Sequence, residues 1–320
     1  MTVNILFAAK EERWPTYEPH LRRALDDKGL DYDLRRDCAP DEVDYMVYAP
    51  NSDVQDFTPY TRLKAVLNLW AGVEGITRND TLKVPLARMV DDGLTQGMIE
   101  WVTGHVLRHH LGMDAYIVNP DQEWNLIVPP LAQDRSVAIL GLGALGRACA
   151  ETLVGLGFKV SGWSRSPKEI AGVTCHHGEN GLTETLSKAE ILVLLLPDTP
   201  ATENTLNAET LAALPRGAVI LNPGRGPLID DNALIDALNS GQIGHATLDT
   251  FRIEPLPADH PYWAHPKVTV TPHCASETRP ASASRKRRGR LRKACSTASS
   301  RMPASRSFCG TLCTVRGRIR

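Results

Sequence analysis

Several features are missing from this 320-residue sequence, and each absence excludes something. No apolar stretch approaches the ~18 residues of a membrane span. Runs such as "ILVLLLP" are of strand length, and the N-terminal "MTVNILFAAKEERW" soon meets charge. The seven cysteines are odd in number and scattered, with no CxxC pair. That pattern suggests neither a disulfide framework nor a zinc site, and it suits a reducing cytoplasm. No repeat of solenoid period is present. Acidic residues are absent from 281–320, which hold twelve of the 36 Lys and Arg. Residues 1–280 therefore carry 24 basic against 37 acidic side chains, a net charge of −13 beneath a total of −1.

What is present is ordinary for a globular chain: 42% hydrophobic and 23% charged residues, over a length that suggests two domains. "VNILFAA" reads as a buried strand and "WPTYEPHLRRALDDKGLDYDLRR" as an amphipathic helix. "VDYMVYAP" and "LKAVLNLW" read as further strands, and residues 95–111 as a helix with Met98, Trp101, Val102 and Val106 on its apolar positions. A second series then begins with "SVAILGLGALG" and continues through "FKVSGWS", "ILVLLLP", "GAVILNPGRG", "HATLDTF" and "KVTVTPH". Strands alternating with helices imply βαβ units and parallel sheets, hence an α/β protein with two doubly wound parts.

"VAILGLGALGR" places Gly141, Gly143 and Gly146 directly after an apolar strand and at the start of a helix. In that setting the glycines permit a tight turn and close approach of backbone to a pyrophosphate, and the helix N-terminus offers free N–H groups. About 20 residues on, an NAD site is expected to carry a carboxylate for the ribose 2′-hydroxyl. Here the strand ends in Ser164, Arg165 and Ser166, with Lys168 nearby. Hydroxyls and a guanidinium would hold a 2′-phosphate that a carboxylate would repel, so NADP(H) is preferred, with NAD(H) possible.

Three polar residues follow three late strands: Arg225, Glu254 and His273. In a doubly wound sheet the ligand crevice lies at the carboxyl ends of the strands, so the three are expected to converge there. Arg225 can grip a carboxylate through two ionic hydrogen bonds. His273 can pass a proton to a carbonyl oxygen, and a neighbouring Glu254 would keep its imidazolium form.

With these residues in place the chain resembles the D-isomer-specific 2-hydroxyacid dehydrogenases, through "GLGALG", "LLLPDTPATENTLN", "LNPGRGPLID", "LDTFRIEPLP" and "VTVTPH" in order. "WSRS" and "EPLPADHPYWAHPKVTVTPH" are similar to the glyoxylate/hydroxypyruvate reductase subgroup. The resemblance covers residues 1–280. It implies two Rossmann-like doubly wound parallel-sheet domains, the cofactor domain inserted into the substrate domain, with 1–100 on the substrate side and 101–276 binding NAD(P). It implies that Arg225 binds a small 2-oxo acid, that His273 donates the proton and that Glu254 pairs with His273. It further implies that Leu145 lies with the glycines at the cofactor, that Asp249 lies near the nicotinamide amide and that Pro197 lines the cofactor cleft. "LWAGVEGI" stands where the family has a "GAGVD" loop, so backbone N–H groups of Gly72 and Val73 would help hold the substrate carboxylate. Members are commonly homodimers paired through the cofactor domain. Departures are small: Pro223-Gly224 precede the arginine and Cys274 follows the histidine. Neither removes a catalytic group.

Other readings remain open on sequence grounds. The substrate could be phosphoglycerate or a larger 2-oxo acid. A dinucleotide-sensing protein resembling the family's corepressor branch, with a basic arm on nucleic acid, is a third option that no peptide-recognition feature supports. His105 and His109 have metal-compatible spacing but no evident third ligand, and are expected to be solvated helix residues. His176 and His177 are expected in a loop. Trp70 and Trp263 either wall a pocket or fill core. From about residue 281 the composition breaks, and the segment is expected to derive from a shifted reading frame, the other reading being a genuine basic arm.

Overall fold

The structure is a computed structural model and describes residues 2–89, 92–117 and 119–276. The basic segment from about 281, its expected frame shift and any return of the chain to the first domain lie outside the described residues. The chain divides into two compact units between Leu94 and Thr95.

The first unit holds β1 (Val3–Ala8), α1 (Trp14–Asp26), β2 (Tyr32–Arg35), β3 (Tyr45–Tyr48), β4 (Ala65–Asn68), α2 (Glu74–Thr77) and β5 (Leu86–Ala87). Its strands form one parallel sheet in the order β2-β1-β3-β4-β5. Successive residues of β1 face opposite sides, as strand geometry requires. Ile5 and Phe7 pack with Tyr17, Leu21 and Leu25 of α1, while Leu6 and Ala8 pack with Val43, Met46 and Phe57. The expected long helix is shorter than its pattern suggested. It stops at Asp26, the chain turns at Gly29 (φ +60°), and "YDLR" enters the sheet as β2, paired Val3 to Tyr32.

The second unit holds most of α3 (Asp92–His110), then α4 (Asp114–Ile117), β6 (Ser136–Leu140), α5 (Ala144–Gly155), β7 (Lys159–Ser164), β8 (Val173–His177) and α6 (Gly178–Leu186). After these come β9 (Ile191–Leu194), α7 (Ala208–Ala212), β10 (Ala218–Asn222), α8 (Asp231–Asn239), β11 (Ile243–Leu248) and β12 (Val268–Val270). The seven-stranded sheet runs β12-β11-β10-β9-β6-β7-β8, every pair parallel. The central strands β6, β9 and β10 are buried along nearly their whole length, which is why they read as apolar runs. Val137 and Ile139 of β6 face α3 and α5, whereas Ala138 and Leu140 face the side covered by α6, α7 and α8. No helix among the described residues is long and apolar enough to cross a membrane.

The structure corrects two expectations about histidines. His176 and His177 lie in β8, where Trp163 and Ser164 are their register partners. His109 is partly buried, not solvated: its Nε2 lies 3.0 Å from Thr247 Oγ1 and its ring 4.8 Å from that of His245. His105 is likewise half-buried, its ring 4.3 Å from that of Trp101 and tilted 51° to it. No three metal-ligating side chains come together among the described residues.

Candidate active site

The sheet order places two sites along one edge of the second unit. The chain leaves β6 for β7 on one side and returns through β9 on the other, so the carboxyl ends of β6 and β9 mark the switch point of the sheet. Gly141 follows β6 with φ +108°, and a Cβ there would sit 2.5 Å from the Leu195 carbonyl oxygen. A Cβ at Gly146 would overlap the Gly141 carbonyl, so the first turn of α5 can press against the strand end only because side chains are missing. Gly143 precedes α5 without a side-chain cap, and the first turn contains no acidic residue. These unfilled N–H groups and that bare backbone fit a dinucleotide pyrophosphate. Leu145 lies partly buried in the same turn.

At the neighbouring carboxyl end of β7, Ser164 is buried and its Oγ donates to the Ser166 carbonyl at 2.8 Å. That bond rounds the turn and leaves Arg165, Ser166 and Lys168 exposed. On the β9 side, the Pro197 carbonyl accepts Thr202 Oγ1 at 2.6 Å.

β10, β11 and β12 are adjacent, so the residues that follow them emerge side by side. His273 Nδ1 lies 2.7 Å from Glu254 Oε2. The other carboxylate oxygen, Glu254 Oε1, accepts the Phe251 N–H at 2.9 Å. The hydrogen bond to Glu254 raises the His273 pKa above its ordinary value; burial and the Arg225 charge oppose this, and the Glu254 and Asp249 charges reinforce it. For Glu254, burial acts upward, but the bonds from His273 and Phe251 and the charges of His273 and Arg225 prevail and lower its pKa. Arg225, whose Nη1 donates to the Gly224 carbonyl at 2.6 Å, thus acts electrostatically on both partners. Glu254 and His273 are in contact, and Arg225 lies within electrostatic reach of both. Gly72 and Val73 belong to the first unit, between β4 and α2, where the Gly72 carbonyl accepts Asn68 Nδ2 at 2.8 Å.

His273 has a left-handed backbone (φ 51°), a costly conformation for a residue with a side chain. Asp249 holds it there. This fully buried carboxylate accepts Thr271 Oγ1 at 2.5 Å and the N–H groups of Cys274 and Ala275 at 3.0 and 2.9 Å, while its carbonyl accepts the His273 N–H at 2.8 Å. Asn222 plays a similar part for Arg225. Its Nδ2 donates to the Arg225 carbonyl at 2.9 Å and its Oδ1 accepts the Gly224 N–H at 3.1 Å. The sequence reading passed over Asn222 and Thr271. Their signal was a polar residue ending, or directly following, an otherwise apolar strand. Trp70 and Trp263 are 41% and 52% exposed, so neither fills core.

The chain is similar to known proteins of one family. Residues 104–275 match the model of the family described as "D-isomer specific 2-hydroxyacid dehydrogenase, NAD binding domain". A glyoxylate/hydroxypyruvate reductase A of Serratia proteamaculans is 41% identical over 230 residues, covering 69% of this chain and 74% of that protein. Among solved structures, a D-isomer specific 2-hydroxyacid dehydrogenase from Xanthobacter autotrophicus, in complex with NADPH and MES, superposes with a TM-score of 0.82. It is 39% identical, and the match covers 88% of this chain and 91% of that one. An NADPH-dependent glyoxylate/hydroxypyruvate reductase from Sinorhizobium meliloti, in complex with NADP and sulfate, gives a TM-score of 0.76 at 34% identity, covering 88% and 91%.

Proposed function

Given that the chain belongs to the D-isomer specific 2-hydroxyacid dehydrogenase family, we propose that it reduces small 2-oxo acids, glyoxylate and hydroxypyruvate, to 2-hydroxy acids with NADP(H). The observation that carries this reading is the 2.7 Å contact of His273 with Glu254 under the charge of Arg225. When bound, the cofactor supplies hydride to the carbonyl carbon. The protein supplies the rest. Arg225 binds the substrate carboxylate and Nε2 of His273 delivers a proton to the carbonyl oxygen, so the 2-oxo acid gains one hydride and one proton. Glu254 accepts from Nδ1 and orients the ring, and by raising the His273 pKa it lets the acid form persist to higher pH than in a free imidazole. Ser164 rounds the turn from which Arg165 and Ser166 address the 2′-phosphate, and Asp249 and Pro197 border the nicotinamide half.

The test is direct. The full chain should oxidise NADPH in the presence of glyoxylate or hydroxypyruvate; failure with both, together with unchanged NADPH binding by His273→Ala, would overturn the assignment.

We also propose that two copies pair through the second unit. Ile117, Trp124, Leu126, Val128 and Leu131 are exposed there, Trp124 completely. Apolar groups so displayed mark an interaction surface. Sedimentation velocity of a Trp124→Ser, Leu126→Ser double variant should show a monomer where the parent chain sediments as a dimer; equal behaviour of the two would end this reading.

A further inference from the structure

Arg252 lies on the loop that leaves β11, one residue beyond Phe251 and two before Glu254. Its guanidinium reaches across to other segments. Nη2 donates to the Ile229 carbonyl at 2.7 Å, to the Pro227 carbonyl at 3.4 Å and to Asn204 Oδ1. Nη1 meets Glu203 Oε1 at 3.4 Å, and Nε faces Asp231 Oδ2 at 3.6 Å. One side chain thereby gathers the segment after β9, the turn after Arg225 and the start of α8.

These contacts bear on both reacting groups. Arg225 immediately precedes the tight turn Gly226–Leu228, and a Cβ at Gly226 would overlap the Phe251–Arg252 peptide, so turn and loop are in direct backbone contact. On the same loop the Phe251 N–H holds Glu254 Oε1, whose partner oxygen Oε2 receives His273. An exposed ion pair with Glu203 alone would matter little. Donation to two main-chain carbonyls is different, because it fixes backbone, and a planar five-donor fork makes several such bonds at once where an ammonium cannot.

We propose that Arg252 is a positioning residue that locks the Arg225 turn to the Glu254 loop, setting the spacing between the anion-binding group and the proton donor. This rests on Arg225, Glu254 and His273 being the reacting groups. Arg252 itself touches no substrate.

Two full-length variants test it, Arg252→Ala and Arg252→Lys, with three readouts: kcat and KM for the 2-oxo acid at saturating NADPH, the NADPH dissociation constant, and the titration of the His273 ring by NMR, assigned with His273→Gln. Loss of positioning should lower kcat/KM by about tenfold or more, with a rise in KM for the 2-oxo acid. It should also move the His273 titration down toward that of a free imidazole, since the Glu254 contact loosens while the Arg225 and Asp249 charges remain. NADPH binding should stay as in the parent chain, and Arg252→Lys should recover only part of the loss. If Arg252→Ala lowers the melting temperature but leaves KM, kcat and the His273 titration unchanged, the residue is merely structural and the proposal is overturned. Should Arg252→Ala not fold, parent-like values of the same readouts in Arg252→Lys overturn it. A parent chain that reduces neither 2-oxo acid would defeat the functional reading instead, and the titration, which needs no turnover, would still decide the role of Arg252.

Discussion

The two units open with the same device, a strand running through a short turn into a helix, yet only one turn is built for a nucleotide. In the first unit β1 leads through Lys10, Glu11 and Glu12, and the two glutamates occupy a 3-10 turn directly before α1. Lys10 is paired with Asp53 at 2.7 Å and Glu11 with Arg36 at 2.6 Å. The turn before α1 is therefore filled with charged side chains engaged elsewhere in the unit, and its two carboxylates would repel a phosphate. In the second unit the corresponding turn has glycines, no acid and no cap, so the helix terminus is left for a ligand. A doubly wound sheet offers the position; the side chains in one turn decide whether anything binds there.

The contrast is most severely tested at Gly146. Replacing it with Val would put a side chain into the Gly141 carbonyl, and NADPH binding, followed by fluorescence, should disappear. Retained affinity would mean that the glycine turn is not the nucleotide site. Next in size is His273→Gln, which should lower kcat by about 10²–10⁴-fold with NADPH affinity unchanged, separating the reacting half of the sheet edge from the nucleotide half. Arg165→Ala should raise the Michaelis constant for NADPH by roughly tenfold or more while sparing NADH, because a charge-assisted bond to a 2′-phosphate is lost. An equal effect on both cofactors would remove the reason for assigning NADP(H).

Acidification should distinguish the units more gently. Burial, with the neighbouring His245 and Arg108 charges, depresses His109 to about 3, and burial depresses His245 to about 4. Both are neutral in the folded unit while the unfolded chain takes up protons below 6.5, so their contribution is full above that pH and is lost as pH falls toward 4. In the first unit Asp44 is pushed up by burial but held below 3.8 on balance by the Asn4 N–H, Lys64 and Arg62. Its contribution persists until pH falls through that lower range. Calorimetry between pH 7 and 4 should therefore show the second unit losing on the order of a few degrees first, and loss beginning in the first unit would contradict the histidine account. The smallest effect is expected from Lys10→Ala, which breaks a solvent-exposed ion pair and should leave the melting temperature and NADPH binding unaltered.

Much of this was legible in the sequence because physics made it local. "VAILGLGALG" carries strand, turn and helix start in ten residues, and Arg225, Glu254 and His273 each follow a strand, so parallel pairing alone brings them together. What escaped depended on distant partners. β2 was hidden inside a helical pattern because "YDLR" becomes a strand only by pairing with β1. His176 and His177 looked like loop residues because an edge strand such as β8 need not be apolar. His109 looked solvated because its cover, His245 and Thr247, comes from a strand more than a hundred residues later. Asn222 and Arg252 act on backbone oxygens, which no residue pattern displays.

The left-handed backbone at His273 carries a further consequence. Glycine or asparagine would adopt that conformation more cheaply, yet neither could donate the proton. A library randomised at this codon should therefore rank its members in opposite orders under two selections. A screen for heat resistance would enrich glycine, and a screen for turnover would retain histidine, so the separation between the rankings measures what the enzyme gives up in robustness to place an acid at this point in the chain.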